Sequence, residues 1–399
     1  MRIIVQKFGG TSVATAEARR RAAERVVQAC REGYMPVVVV SAMGRRGEPY
    51  ATDTLIDLAR QVKEDVPPRE LDLLISCGEI ISAVVMVQTL RALGYEAVAL
   101  TGGQAGIYTD GNYGNAKIKR IDPRPILSKL QEGKIVVVAG FQGIGEDGNI
   151  TTLGRGGSDT TATALGGALQ AELVEIYTDV DGVMTTDPRL LPEARILSAV
   201  TYREVCEMAN QGAKVIHPRA VEMAMAKNVP IKVRNTFSDA EGTLIAAEIP
   251  ERVITGLAHI NDLTRVTVKL NGGEDTRRAQ VRVFSLMAEA GINVDMINVN
   301  PGEIFFVVRD DEADKALTLL REKGLTASGQ RGCAKLSVIG AGMQEVPGVM
   351  ARLMEALDGA GIDVLQTSDS DITISFLIKQ KDLRRAVEVL HRKFELHKG

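Results

Sequence analysis

The strongest constraint on this chain is a series of short, largely β-branched runs separated by helical stretches. Residues 3–6, 37–41, 97–101, Ile135–Ala139, Leu173–Thr178 and 231–233 read as strands, and 16–32, 73–93 and 158–167 read as helices. Near-continuous apolar strands belong to a sheet covered on both faces, and their alternation with helices predicts the α/β class with a mostly parallel sheet. Such sheets bind ligands beyond the carboxyl ends of their strands. This pattern holds over residues 1–248.

After Glu248-Ile249-Pro250 the texture changes. Ala290-Gly291-Ile292-Asn293-Val294-Asp295 matches Ala360-Gly361-Ile362-Asp363-Val364-Leu365, and Ile304-Phe305-Phe306-Val307-Val308 matches Ile374-Ser375-Phe376-Leu377-Ile378. The offset of about 70 residues marks an internal repeat. Each copy reads strand, helix, strand, strand, helix, the ferredoxin-like βαββαβ order. The units are 249–330 and 331–399. The second ends soon after a helix near His391 and lacks a clear sixth strand. A spare strand from Val253 to Ile260 precedes the first unit and is expected to pair into the second, interleaving the two.

Composition removes several function classes. A length of 399 residues suits two or three domains. The net charge of −3, with no basic block, gives no footprint for nucleic acid. No apolar run is read as reaching the roughly 20 residues of a membrane helix. The N-terminus enters a strand directly, without a signal-peptide layout. Cys30, Cys77, Cys206 and Cys333 form no CxxC pair, which argues against zinc or a disulfide framework and favours the reducing cytoplasm. His217, His259, His391 and His397 are scattered, and no HExxH or Ser/His/Asp layout appears.

Three motifs carry chemistry. Lys7-Phe8-Gly9-Gly10-Thr11-Ser12 follows the first strand and precedes a helix. Adjacent glycines let the backbone approach a phosphate, and the helix N-terminus favours an anion. The lysine adds a point charge for the β/γ-phosphates. Because it precedes the glycines, this is not a Walker A loop. Gly154-Arg155-Gly156-Gly157-Ser158-Asp159 precedes an Ala- and Gly-rich helix. Read alone it is a capped glycine loop; read functionally, Arg155 takes a carboxylate bidentately. Tyr177-Thr178-Asp179-Val180-Asp181-Gly182-Val183-Met184-Thr185-Thr186-Asp187-Pro188-Arg189 follows a buried strand and is by itself a turn-rich loop. A fourth string, Gly143-Ile144-Gly145-Glu146-Asp147-Gly148, fits GxGxxG. The residues after it do not start a helix, so a hairpin is expected rather than a dinucleotide site.

In this order the motifs resemble the amino-acid kinase superfamily and, within it, the aspartate kinases, over essentially the whole chain. Gly212-Ala213-Lys214-Val215-Ile216-His217-Pro218 belongs to the same pattern, and the repeats resemble ACT regulatory domains. The resemblance implies a three-layer αβα kinase domain followed by two ACT units, with no further domain. It implies phosphorylation of the L-aspartate β-carboxylate by ATP with Mg²⁺, the first step towards lysine, threonine and methionine. Lysine, threonine or both are the implied effectors, and a homodimer or larger assembly through the ACT units is implied. Lys7, Phe8, Gly9, Gly10, Ser41, Thr178, Asp179, Met184, Arg189 and Lys214 are the implied ATP contacts. Thr52, Glu79, Arg155, Gly156, Gly157 and Ser158 are the implied aspartate contacts, with Thr54 as an alternative to Thr52. Lys7, Asp159 and Arg155 are the implied catalytic residues. Ile292, Asn293, Asp295, Ile362 and Asp363 mark effector positions. No protein-held metal site is implied.

Elementary chemistry agrees with this reading. A β-carboxylate has a pKa of about 3.9 and is already ionised at neutral pH, so it needs no general base. The difficulty is bringing it towards a triphosphate, which calls for cations and amide donors. Met184 stands where the family often has an aromatic. Cys77, beside Glu79, is read as buried packing rather than a nucleophile. The helix entry at Gly272-Gly273-Glu274-Asp275-Thr276 departs from the usual Pro-Gly, which leaves effector identity open. Two other readings remain: a different amino-acid kinase, and a catalytically inactive sensor on the same scaffold.

Overall fold

The first strand, β1 (Ile3–Phe8), is buried at all six positions. It is paired in parallel on both sides, with β2 (Met35–Val40) and with β5 (Leu173–Thr178), so that Lys7 lies opposite Val39 and Ile176. In chain order the other strands of this sheet and its main helices are α1 (Ala16–Arg31), α2 (Pro68–Ala92), β3 (Ala97–Leu100), β4 (Ile135–Ala139), α3 (Gly157–Ala168), β6 (Ala199–Thr201), β7 (Ile231–Asn235) and β8 (Thr243–Ala246). The sheet order is β6-β8-β7-β5-β1-β2-β4-β3, parallel except where β7 meets β8. Val37 to Val40 and Val136 to Val138 are fully buried, because helices cover both faces here. The Thr15 hydroxyl caps α1 by accepting from Ala18 N at 3.1 Å. Helix α2 starts at Pro68, five residues before the sequence places it, since proline suits the first helical turn. Phe8, Val26, Val38, Met86, Leu90 and Val137 form the core beneath α1 and α2.

Helix α2 corrects one expectation. It is long and apolar enough by length and composition to cross a membrane, yet half of its most apolar stretch is buried in the fold. Asp72 and Glu79 are buried with that stretch, at 1% and 2% exposure. A membrane face would leave both carboxylates in hydrocarbon, so this is a core helix. The Gly143–Gly148 string forms the expected hairpin, with residues Gln142–Ile144 antiparallel to Ile150–Thr152.

The computed structural model describes residues 1–250, 252–270, 276–343 and 346–398. It divides into two units: Met1–Val183 with Ile196–Ala209 and Lys214–Pro250, and Met184–Arg195 with Asn210–Ala213 and Glu251–Gly399. Gly272 to Asp275, singled out above, lie outside the described residues.

The second unit is one six-stranded antiparallel sheet. Its elements are β9 (Gly256–Lys269), α4 (Thr276–Glu289), β10 (Asp295–Val299), β11 (Glu303–Arg309), α5 (Asp310–Glu322), β12 (Thr326–Ile339), α6 (Val349–Gly359), β13 (Val364–Ser370), β14 (Thr373–Lys379) and α7 (Leu383–Lys393). The order is β10-β11-β9-β12-β14-β13. The run read as a separate strand from Val253 begins at Gly256 and continues through the first repeat's own strand. Its start pairs with the end of β12, Gly256 opposite Ile339, and Leu263 to Lys269 pair with β11. Register shifts on either side of Leu263, with Asp262 at φ 58°, bend it between the two roles. The 330/331 division read from the sequence therefore falls inside β12.

Candidate active site

Because β1, β2, β4 and β5 are parallel, their carboxyl ends share one sheet edge. That edge gathers Lys7 with the Gly9–Gly10 turn, Ser41-Ala42, Gly140 and Thr178-Asp179. The turn is held by backbone bonds: Gly9 N donates to Tyr177 O at 3.2 Å and Gly44 N donates to Gly10 O at 3.0 Å. A Cβ on Gly10 would stand 2.8 Å from Gly44 O and 2.9 Å from Ala42 O, so the close approach requires glycine.

Lys7 is 9% exposed, and its Nζ lies 2.6 Å from Asp159 Oδ1. Asp159 sits in the first turn of α3, where the amides lack partners within the helix and favour negative charge. The turn is set by Gly156 at φ 68°, where an added Cβ would lie 2.3 Å from His217 Cγ. His217 in turn caps the helix Pro218–Lys227, its Nδ1 accepting from Arg219 N at 3.3 Å. Arg219 donates to Leu153 O at 2.6 Å and to Ala116 O at 2.7 Å, which anchors the strand leading into the glycine loop. Sequence reasoning gave neither residue a role. The tight Gly156–His217 packing leaves no trace in either local pattern.

Glu79 on α2 is buried, and its Oε1 accepts from Ala42 N at 3.1 Å. Its Oε2 has no partner among the described residues. Burial pushes the Glu79 carboxyl up to about 8, against the backbone hydrogen bonds that pull it down. A bare, buried carboxylate oxygen is the complement of an ammonium group. Ala42 ties it to the glycine turn, since the same residue offers its N–H to Glu79 and its carbonyl to the Gly10 face.

The other candidates divide. Ser158 packs against Gly140, whose added Cβ would stand 2.9 Å from Ser158 Oγ. Gly157 and Ser158 are buried in the first turn of α3, whereas Arg155 and Lys214 are exposed and make no ion pair among the described residues. Asp179 is paired with Arg45 at 2.7 Å across exposed side chains. Thr52 heads a helix, and Thr54 Oγ1 accepts from Gly47 N at 2.9 Å, closing the loop between. Met184 and Arg189 belong to the segment that packs in the second unit, where Thr185 O accepts from Leu257 N at 2.7 Å and Thr185 Oγ1 bonds His391 at 2.9 Å. Arg189 is occupied by its own Asp187 at 2.7 Å.

One side-chain expectation is corrected. Cys77 is exposed, because on α2 it stands two residues from Glu79 and so on the far side of the helix from it. Ile292 and Ile362 are each 5% exposed and belong to the two hydrophobic cores of the second unit. Asn293 is exposed, while Asp295 and Asp363 are ion-paired with Lys335 and Lys379 at 2.6 and 2.8 Å.

A paired lysine, a glycine turn and a helix amine end, gathered at the carboxyl edge of a parallel sheet, define a site for phosphoryl transfer. The amino acid kinase family profile matches residues 2–235, and ACT domain profiles match 275–323 and 328–392. Aspartokinase 1 of Bacillus subtilis is 48% identical, with 100% of both chains covered. The aspartokinase of Geobacillus stearothermophilus is 44% identical over 99% of this chain and 98% of that one. Among solved structures, E. coli aspartokinase III in complex with aspartate and ADP aligns with a TM-score of 0.76 at 27% identity, covering 98% of this chain and 99% of that one. The same enzyme in complex with lysine and aspartate aligns with a TM-score of 0.79. The chain belongs to the amino acid kinase family, in its aspartokinase branch.

Proposed function

We infer that the chain transfers the γ-phosphoryl group of ATP to the β-carboxylate of L-aspartate, forming 4-phospho-L-aspartate, under feedback by an amino acid held in the ACT unit. The observation that carries this reading is the pairing, at one sheet edge, of a lysine locked by Asp159 with the unpartnered Glu79 oxygen. One end of such a site suits a phosphate and the other an ammonium.

In this account Glu79 takes the substrate ammonium, and Arg155 swings onto a carboxylate. The ionised β-carboxylate attacks directly, in line, with no phosphoenzyme. Lys7 and the first-turn amides of α3 stabilise charge on the transferring group. Asp159 holds Lys7 in place. Among the described residues there is no group of three or more His, Cys, Asp or Glu able to hold a metal. Mg²⁺ would arrive on the triphosphate, as it does where one or two carboxylates suffice, with Asp159 the carboxylate at the phosphate end. When bound it would offset the charge of the triphosphate. Lysine, threonine or both are the effectors of this reading, and assembly is as a homodimer or larger through the ACT units, in the cytoplasm.

The test is a hydroxylamine trap. Purified protein with ATP, Mg²⁺ and aspartate should yield the aspartyl hydroxamate. Turnover of glutamate or acetylglutamate in place of aspartate would assign another kinase, and no acyl phosphate with any of them would make the chain an inactive sensor.

A further inference from the structure

The kinase sheet has two faces, and the chemistry above uses one of them. Neighbours along a strand point to opposite faces. Lys7 meets Asp159 of α3, whereas Gln6 meets Glu175 of β5, with Nε2 donating to Oε2 at 2.8 Å. On the Gln6 side a groove of about 890 Å³ runs between α1 and strands β1, β5 and β7. That volume lies within the range of small-molecule sites, about 300–1,000 Å³.

The floor of the groove is polar and buried, with Gln6 1% and Glu175 5% exposed. Glu175 also accepts from the Tyr177 hydroxyl at 3.0 Å and from Arg234 Nη1 at 3.1 Å. Only the NH₂ of an amide can face a carboxylate, so Glu175 fixes the Gln6 orientation. Gln6 Oε1 is left buried and without a partner in the lining of the groove. Buried acceptors are seldom left unpaired in native proteins. The mouth has the opposite character. Arg21 and Arg31 line it from the exposed side of α1, Arg21 also donating to Phe237 O at 3.2 Å and pairing with Glu17 at 3.4 Å. Acids are interspersed there: Glu24 pairs with Arg20 at 3.2 Å and Glu32 accepts from Gln28 at 2.8 Å. A polyanion would meet these acids, whereas a single anionic group would not be held off. Acceptors lie deep and arginines stand at the entrance.

We propose that this groove is a second ligand site, which takes a small zwitterion with its ammonium on Gln6 Oε1 beside Glu175 and its anionic group on Arg21 or Arg31. It is separate from the phosphoryl-transfer site because the sheet lies between them.

The test uses the full-length chain with 6-aminohexanoate and 4-aminobutyrate as probes, read by calorimetry and hydrogen exchange. Neither probe has the α-ammonium and α-carboxylate pair of an aspartate-like ligand. Hexanoate, which lacks the ammonium, is the control. The expected result is exchange protection in α1 and residues 231–239, at least about tenfold weaker for hexanoate. Gln6→Met should weaken probe binding by about tenfold or more. Should that variant fail to fold, Arg21→Ala or Arg31→Ala, both on the exposed side of α1, should weaken it by about threefold or more. The proposal is overturned if neither probe protects these segments at about 10 mM, a concentration that fills weak sites. It is also overturned if hexanoate binds equally well, if protection falls only elsewhere, or if the folded variants bind like the parent.

Discussion

At the scale of single residues the account rests on Glu79 and Lys7. Glu79 has a folded pKa of about 8 against an ordinary 4.5. The folded protein therefore keeps a proton that the unfolded chain releases. Stability is full below the ordinary value and declines as pH rises towards 8. Glu79→Gln removes this penalty and should raise the Tm at pH 8, without aspartate, by about 2–5 °C. The same change should raise the KM for aspartate by about tenfold or more, because the ammonium loses a charged acceptor. A variant that is both stabilised and unchanged in KM would remove Glu79 from the substrate site. Lys7→Ala should lower kcat by about 10²–10³ in the hydroxamate assay. An effect under about threefold would remove Lys7 from the transition state. Lys7 was legible in the sequence because it sits in a glycine string after a strand. Glu79 was named only through resemblance, since a lone glutamate in an apolar helix does not reveal that its second oxygen is bare. His217 was named only within the Gly212–Pro218 motif, and its contact with Gly156 was not legible because it joins residues far apart in the chain.

At the scale of elements, two contacts hold the site's frame. Gly156 turns the chain into α3 with a left-handed backbone pressed on His217. Gly156→Ala should cost roughly 1–3 kcal/mol from backbone conformation, before the clash is counted. Its signature should be a lower Tm together with a raised KM for ATP, since the α3 amides shift. An unchanged KM would detach that turn from nucleotide binding. Asp72 fixes α2 to the strand Ile150–Thr152. Its carboxylate accepts from Gly114 N at 3.0 Å, from Thr152 N at 2.7 Å and from Thr152 Oγ1 at 2.8 Å. Asp72→Ala strands those buried donors and should cost about 3 kcal/mol or more in denaturant unfolding. A loss below about 1 kcal/mol would show that the donors find other partners. Strand and helix identities were readable because apolar runs and periodicity are local. The ends were less so: the start of α2 lies in a polar Pro-Arg-Glu stretch, where capping decides rather than pattern.

At the scale of the whole chain, the repeats are not separable modules. Strands β9 and β12 each serve both halves of the second sheet. Leu320→Ala in one half and Leu390→Ala in the other, both fully buried, should each lower exchange protection across all six strands. Loss confined to the mutated half would mean that the halves open independently. The repeat itself was legible, from paired Ala-Gly-Ile and strand strings, and so was a strand shared with the second half. The single bent strand was not, because a bulge at Asp262 has no composition signal. The central claim, that this fold places a buried acid to receive the aspartate ammonium, has a direct readout in protons. Near pH 7 a Glu79 carboxyl at about 8 is mostly protonated, and it must ionise to pair with the substrate. Calorimetric titration of aspartate in two buffers of different ionisation enthalpy should report close to one proton released per site at pH 7, and none in Glu79→Gln. No proton release by the parent protein, or equal release by the variant, would contradict the account.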